Sequence, residues 1–238
     1  MNILTIDTST DIELISVTMG EKTFEFAENV RMSHSVTMFD SLGRVLKDAG
    51  ISLKDIDLVA AGVGPGSFTG VRIAVSTARM IAQVLRLPLA GLISQDIYAA
   101  SASTAPGEKI LVAFDAKKSR VFASLYANET GFPPVTLLDA GDYSIGPVLD
   151  KVSPGERLLC IGDGCARYAG AIEEKSGRIG FSYRLIDNFI PNGGAAARLA
   201  FMKYSESPQK FGFYGNTVPF YARKSDAEIA KEEKERRG

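Results

Sequence analysis

Histidine, cysteine and tryptophan are nearly missing from this sequence, and each absence closes a chemical route. The 238 residues contain no tryptophan, one histidine (His34) and two cysteines, Cys160 and Cys165. A single histidine excludes a two-histidine zinc site and an H-E-x-x-H peptidase helix. A Ser-His-Asp triad would have to use His34, yet no G-x-S-x-G elbow accompanies it, and Pro65-Gly66-Ser67-Phe68 has its second glycine misplaced. Two cysteines are too few for a disulfide framework and read as free thiols of a reducing compartment. A surplus of charge is missing as well. Lys and Arg number 27 against 28 Asp and Glu, so a net charge of -1 gives no long-range pull on nucleic acid or an anionic membrane. No apolar run approaches the roughly 18 residues of a membrane span, and nothing signal-like precedes the first strand, so the expectation is a cytoplasmic protein without membrane contact.

What is present is an apolar content of 45%, enough for one large or two small domains. The chain is organised around Asp57 to Leu87. Leu58 to Val63 offers no polar face and reads as a buried strand. After the turn Gly64 to Gly70, residues Val71, Ala74, Val75, Ala78, Ile81, Ala82 and Leu85 recur at helical spacing, with Ala74, Ala78 and Ala82 forming a ridge that another backbone can approach. Thr69 is the expected cap of this helix.

In order along the chain, strands are predicted over Asn2 to Asp7, Glu13 to Met19 and Thr23 to Ala27, which points to a mixed sheet. A helix follows from Ser35 to Ala49, with Met38, Phe39, Leu42, Val45 and Leu46 on its apolar side, Ser33 or Ser35 as cap and Gly50 as stop. Another strand (Pro88 to Ile93) and helix (Ser94 to Ala102) lead to a small, polar stretch, Ser101 to Gly107. This divides a first lobe, 1–100, from a second, 101–223. The second lobe carries strands over Lys109 to Asp115, Arg120 to Tyr126, Val135 to Leu138 and Arg157 to Ile161. Its helices are a brief one within Asp142 to Leu149, one over Ala166 to Ser176, and a small-residue helix, Ala195 to Tyr204, with the first lobe as a candidate packing surface. Lys210 to Tyr221 is aromatic and irregular, and 224–238 is a charged tail.

Two groups of residues are candidates for chemistry. The glycine turn, Gly64, Gly66, Ser67, Thr69, Gly70 and Arg72, is either an anion cradle at a helix start or a tight strand-to-helix connection. It is not a Walker loop, because no Lys-Ser or Lys-Thr follows the glycine. Asp7 with Thr8 and Ser9, Asp115, and Gly162-Asp163-Gly164 all sit at strand ends. They are either the walls of a nucleotide cleft or ordinary turn residues. His34 reads as a capping or surface residue, or else as part of an interface or pocket. The aromatic segment 211–221 with Arg223 and Lys224 offers stacking for nucleic acid or, more simply, core aromatics, and Lys117, Lys118 and Arg120 form a small basic cluster.

Five segments together resemble the bacterial TsaB (YeaZ) family: Asn2 to Ser9, Ser33-His34-Ser35, Gly64-Pro65-Gly66-Ser67-Phe68-Thr69-Gly70-Val71-Arg72-Ile73, Asp115-Ala116-Lys117 and Pro219-Phe220-Tyr221-Ala222-Arg223. The resemblance runs from residue 1 to about 227, and the glycine-turn motif is its specific part. Where the family pattern has Asp-Ala-Arg, this chain has Asp115-Ala116-Lys117, a weaker bidentate donor. The resemblance implies an α/β, actin-like (ASKHA) fold of two lobes, each a mixed sheet flanked by helices. It implies a non-catalytic subunit that binds and activates the TsaD transferase in the complex that installs N6-threonylcarbamoyladenosine at position 37 of tRNAs decoding ANN codons. It also implies that the ATPase TsaE joins that complex, that tRNA is met only through it, and that the isolated chain pairs with itself. No catalytic residue, metal or cofactor is expected for the chain alone, with ATP or ADP allowed for in the assembly. By the same resemblance the partner face lies on the two first-lobe helices, through Met38, Leu42, Val45, Val71, Ala74, Val75, Ala78 and Ala82. The alternative is an autonomous actin-like phosphotransferase or a peptidase.

Overall fold

A computed structural model of the chain describes residues 1–30, 34–129, 131–212 and 214–223. The expected Ser33 cap, the aromatic Phe213, Lys224 and the charged tail 224–238 lie outside the described residues.

The first sheet is built around two strands with almost no polar face. β1 (Asn2–Asp7) runs parallel to β4 (Leu58–Gly62), and every residue of β4 is buried. β2 (Ile12–Met19) and β3 (Lys22–Asn29) extend the sheet antiparallel on one side, and β5 (Leu89–Leu92) extends it parallel on the other, giving the order β3-β2-β1-β4-β5. Alternation along the strands divides the side chains between two faces. Leu4, Ile6, Val59 and Ala61 pack against α1 (His34–Ala49) and α2 (Phe68–Leu85). Ile3, Leu58 and Ala60 pack on the other face, against Ile97 of α3 (Ser94–Ser101).

The second sheet repeats this topology. β6 (Glu108–Asp115) is central, flanked by antiparallel β7 (Val121–Ala127) and β8 (Val135–Tyr143) and by parallel β9 (Arg157–Ile161) and β10 (Ser182–Ile186). The order β8-β7-β6-β9-β10 matches that of the first sheet strand for strand. Its outer face is covered by α4 (Ile145–Leu149), α5 (Asp163–Arg167) and α6 (Ala169–Ile179), through Val148, Leu149, Cys165 and Ile172. Its inner face meets Tyr98 and Ala99 of α3, so α3 touches both sheets. The last helix, α7 (Gly193–Glu206), packs Ala196, Ala197, Leu199 and Ala200 on the first sheet. Cys160 and Cys165 are buried free thiols. Among the described residues no helix is long and apolar enough to cross a membrane.

Three local expectations need correction. β8 does not stop at Leu138 but continues to Tyr143, and the helix placed within Asp142 to Leu149 begins only at Ile145. The Ala166 to Ser176 helix is two helices that meet at Tyr168. β10 was not foreseen; it is an edge strand, half exposed and interrupted by Arg184, so its periodicity is faint.

Candidate functional site

The glycine turn is closed by the chain itself. Ser67 donates its N–H to the Ser9 carbonyl at 2.7 Å, Gly64 donates to Ser94 Oγ at 3.2 Å, and Thr8 Oγ1 donates to the Gly70 carbonyl at 2.7 Å. A Cβ on Gly66 would overlap the Ser9 carbonyl oxygen, and one on Gly70 the Thr8 carbonyl oxygen. Carbonyl oxygens therefore approach these glycines at a range that only glycine allows. The turn is a joint that locks the start of α2 to the loop after β1. Its cap is Ser67, whose Oγ accepts from Gly70 N–H; Thr69, the expected cap, already lies inside the helix. Arg72 is held as well, its guanidinium 3.8 Å above the Phe68 ring and its Nε donating to Tyr221 Oη at 2.8 Å.

Between the lobes lies a cleft of about 440 Å³, lined among others by Ser9, Asp11, Phe114, Lys117, Asp163 and Arg223. Its volume suits a nucleotide, but Asp115 and Lys117 are committed to each other. Asp7 does not line it. The carboxylate is buried against Gly62, where a Cβ would overlap it, with Oδ1 accepting from Ser9 N–H at 2.7 Å and Oδ2 without a partner. Burial pushes the Asp7 pKa up. Lys117 Nζ is 2.7 Å from Asp115 Oδ2, and Arg167 Nε is 3.5 Å from Asp115 Oδ1. Burial works against the Asp115 charge, but these partners outweigh it and lower its pKa. Asp163, one strand away, is raised by burial and accepts from Asp115 N–H at 3.2 Å. Gly162 and Gly164 pack against the backbone of Ala113 and Phe114. The structure thus brings Ser9, Asp115 and Asp163 to one cleft, while Asp7 is sealed behind it. Neither Asp7, which is buried, nor Asp115, which is paired with Lys117 and Arg167, is free to hold a magnesium-bound phosphate through water. Among the described residues, no cluster of three or more His, Cys, Asp or Glu has metal-binding geometry.

The helical face needs a larger correction. Met38, Leu42, Val45, Val71, Ala74, Val75, Ala78 and Ala82 are all buried within the lobe, none more than 4% exposed. The alanine ridge does admit a neighbour at close range, but that neighbour is the first sheet, including Ile6, Val59 and Ala61. Amphipathic spacing reports which side is covered and is silent on what covers it. The apolar residues left on the opposite side are Val36 and Phe39 of α1, 77% and 59% exposed, and Met80 and Val84 of α2, 47% and 74% exposed. Phe39 thus leaves the apolar stripe in which its spacing placed it. The signal for the other three was available in the sequence as large apolar residues that fall off the buried stripe. Gly43, beside Arg44 on α1, has open space around it, so this surface is low in relief as well as apolar.

A family model described as "TsaD: tRNA N6-adenosine threonylcarbamoyltransferase" matches residues 27–158, a span that begins in β3 and ends in β9. The tRNA threonylcarbamoyladenosine biosynthesis protein TsaB of Buchnera aphidicola (subsp. Schizaphis graminum) is 32% identical over 169 residues, 68% of this chain and 78% of that protein. The chain belongs to the TsaB (YeaZ) family. The TsaB protein of Bacillus subtilis is 28% identical over 231 residues, covering 96% of each chain. YeaZ from Pseudomonas aeruginosa superposes with a TM-score of 0.74 at 21% identity, over 92% of this chain and 99% of that one. A second P. aeruginosa structure, described as similar to peptidase YeaZ, gives 0.78 at 20% identity, over 93% and 99%. The two-lobed architecture of mixed sheets flanked by helices is therefore shared with these YeaZ structures.

Proposed function

We propose that this chain is a non-catalytic accessory subunit of the assembly that makes N6-threonylcarbamoyladenosine at position 37 of ANN-decoding tRNAs, and that it docks on the TsaD transferase through the outward face of α1 and α2. Membership of the TsaB family supports the process, since TsaB relatives carry threonylcarbamoyladenosine biosynthesis in their names. The observation that carries the docking surface is the exposure of Val36, Phe39, Met80 and Val84 on two adjacent helices whose other sides are fully used. Side chains of this kind gain free energy when a partner covers them, at roughly 25 cal/mol per Å² of apolar area.

In the same reading TsaE joins the pair, tRNA is met through the assembly, and the face serves for self-association when the chain is alone. A nucleotide belongs to the assembly rather than to this subunit's cleft, because Asp7 is sealed and Lys117 is closed on Asp115. Those same two features count against an autonomous phosphotransferase. The single histidine, engaged by Glu13 and the Thr10 carbonyl, counts against a peptidase.

The test is reconstitution. The full chain is mixed with TsaD, TsaE, tRNA, ATP, threonine, bicarbonate and the adenylate-forming enzyme, and the modified nucleoside is measured. Modification that requires this chain, together with no turnover by the chain alone, is the expected result. Full modification in its absence overturns the reading.

A further inference from the structure

The lone histidine stands where two acceptors meet it. His34 opens α1 and is only 4% exposed. Its Nδ1 lies 3.3 Å from Glu13 Oε2 on β2, and its Nε2 lies 2.8 Å from the carbonyl oxygen of Thr10. A carbonyl oxygen can only accept, so Nε2 bears a proton; an ionised carboxylate can only accept, so Nδ1 bears one too. A neutral ring has one proton and would aim a lone pair at one of these oxygens. Glu13 is itself fully buried and also accepts from Thr37 Oγ1 of α1 at 2.7 Å, so one carboxylate gathers the first turn of the helix.

The surrounding charges agree. Asp11 in the turn after β1 favours the charged ring, and Asp7 at the end of β1 adds a field of the same sign when ionised. The first turn of α1 holds no acid of its own, and the positive end of the helix dipole opposes a cation there. Glu13 supplies the missing negative charge at contact distance. Burial opposes the charge on both partners, but their mutual hydrogen bond and its neighbours outweigh it. The ring is shifted above the ordinary imidazole value and the carboxyl below its own.

We propose that His34 is a positioning residue: a doubly protonated imidazolium that ties the start of α1 to β2 and to the Thr10 carbonyl, so that docking through Val36 and Phe39 weakens when the ring loses a proton. This rests on the docking reading above. Once the proton is lost, one of the two ties becomes a contact between lone pairs. The first two turns, which carry Val36 and Phe39, must then be ordered as the partner binds.

Two measurements test it. Nitrogen-15 NMR of the only imidazole in the isolated full chain reads protonation directly. Both ring nitrogens are expected to be protonated at neutral pH, with a midpoint above the ordinary imidazole value that falls in Glu13→Gln. A neutral single tautomer at neutral pH overturns the proposal. The affinity for TsaD is then measured one pH unit either side of that midpoint. For the wild-type chain it should fall about tenfold more than for His34→Gln, with Glu13→Gln as the comparison if His34→Gln does not fold. An imidazolium whose titration leaves affinity no more pH-dependent than in the variant overturns the coupling. Absence of binding by both proteins at every pH overturns the docking reading, and this inference with it, while the NMR result shows separately whether the imidazolium forms.

Discussion

Ala78 and Val84 lie on the same helix, yet a charge has opposite consequences at the two positions. Ala78 is wholly buried against the first sheet, so Ala78→Glu must place a carboxylate among Leu4, Ile6 and Ala61. The cost is about 3 kcal/mol or more, and a thermal melt should show a large loss of stability rather than a folded protein with a damaged interface. An unchanged melting temperature would refute the burial of that side chain. The His34–Glu13 pair gives a second prediction at this scale. His34 is raised, so its contribution is complete at low pH and is lost as pH rises through the folded-state value. Glu13 is lowered, so its contribution is complete at higher pH and is lost as pH falls through its own folded-state value. Wild-type stability should therefore have a plateau between the two, and denaturant melts of His34→Gln should lack the alkaline fall attributable to the ring. These two residues are 21 apart in sequence and no spacing rule joins them. Their partnership was illegible until the strands were placed.

At the scale of elements, the start of α2 shows which rules of sequence reading suffice. The strand, turn and helix were legible, because an unbroken apolar run, a glycine-rich turn and a three-and-four periodicity each report a local constraint. What the glycines approach was not, since it depends on Thr8 and Ser9 coming from a different strand end. The cap was misassigned within the same turn because Ser67 and Thr69 are equally good capping types. Only geometry distinguishes them. Ser67→Ala should cost about 1 kcal/mol, and Thr69→Val should stay within about 0.5 kcal/mol, as read from paired thermal melts. Equal losses, or the reverse order, would return the cap to Thr69. Edge strands were harder to read than central ones for a related reason. β8 passes through Asp139 and Gly141 and β10 is half exposed, so neither carries the apolar signature that marked β4 and β9.

At the scale of the whole molecule, two sheets of one topology are held together by α3 and by the segment that follows α7. Gln95 Nε2 donates to the Pro65 carbonyl of the first lobe at 3.1 Å and approaches that of Phe122 in the second at 3.4 Å. Residues 214–223 cross the mouth of the cleft: Phe220 N–H donates to the Val63 carbonyl at 2.7 Å and Arg223 Nη2 to the Ala116 carbonyl at 2.7 Å. With Asp7 sealed, Asp115 paired and the mouth bridged, the cleft should not take magnesium-ATP, and calorimetry of the isolated chain should show no saturable heat. A saturable, magnesium-dependent signal lost in Asp115→Asn would return the cleft to the list of ligand sites. What α1 and α2 leave exposed is the apolar set Val36, Phe39, Met80 and Val84. The most direct test is titration calorimetry of TsaD against the wild-type chain and against Phe39→Glu combined with Val84→Glu, two exposed changes that should each leave stability within about 0.5 kcal/mol. The account predicts measurable binding by the wild type and a loss of at least about a hundredfold in the variant, or roughly 2.7 kcal/mol, with an unchanged melt. Equal affinity for the two folded proteins would contradict it.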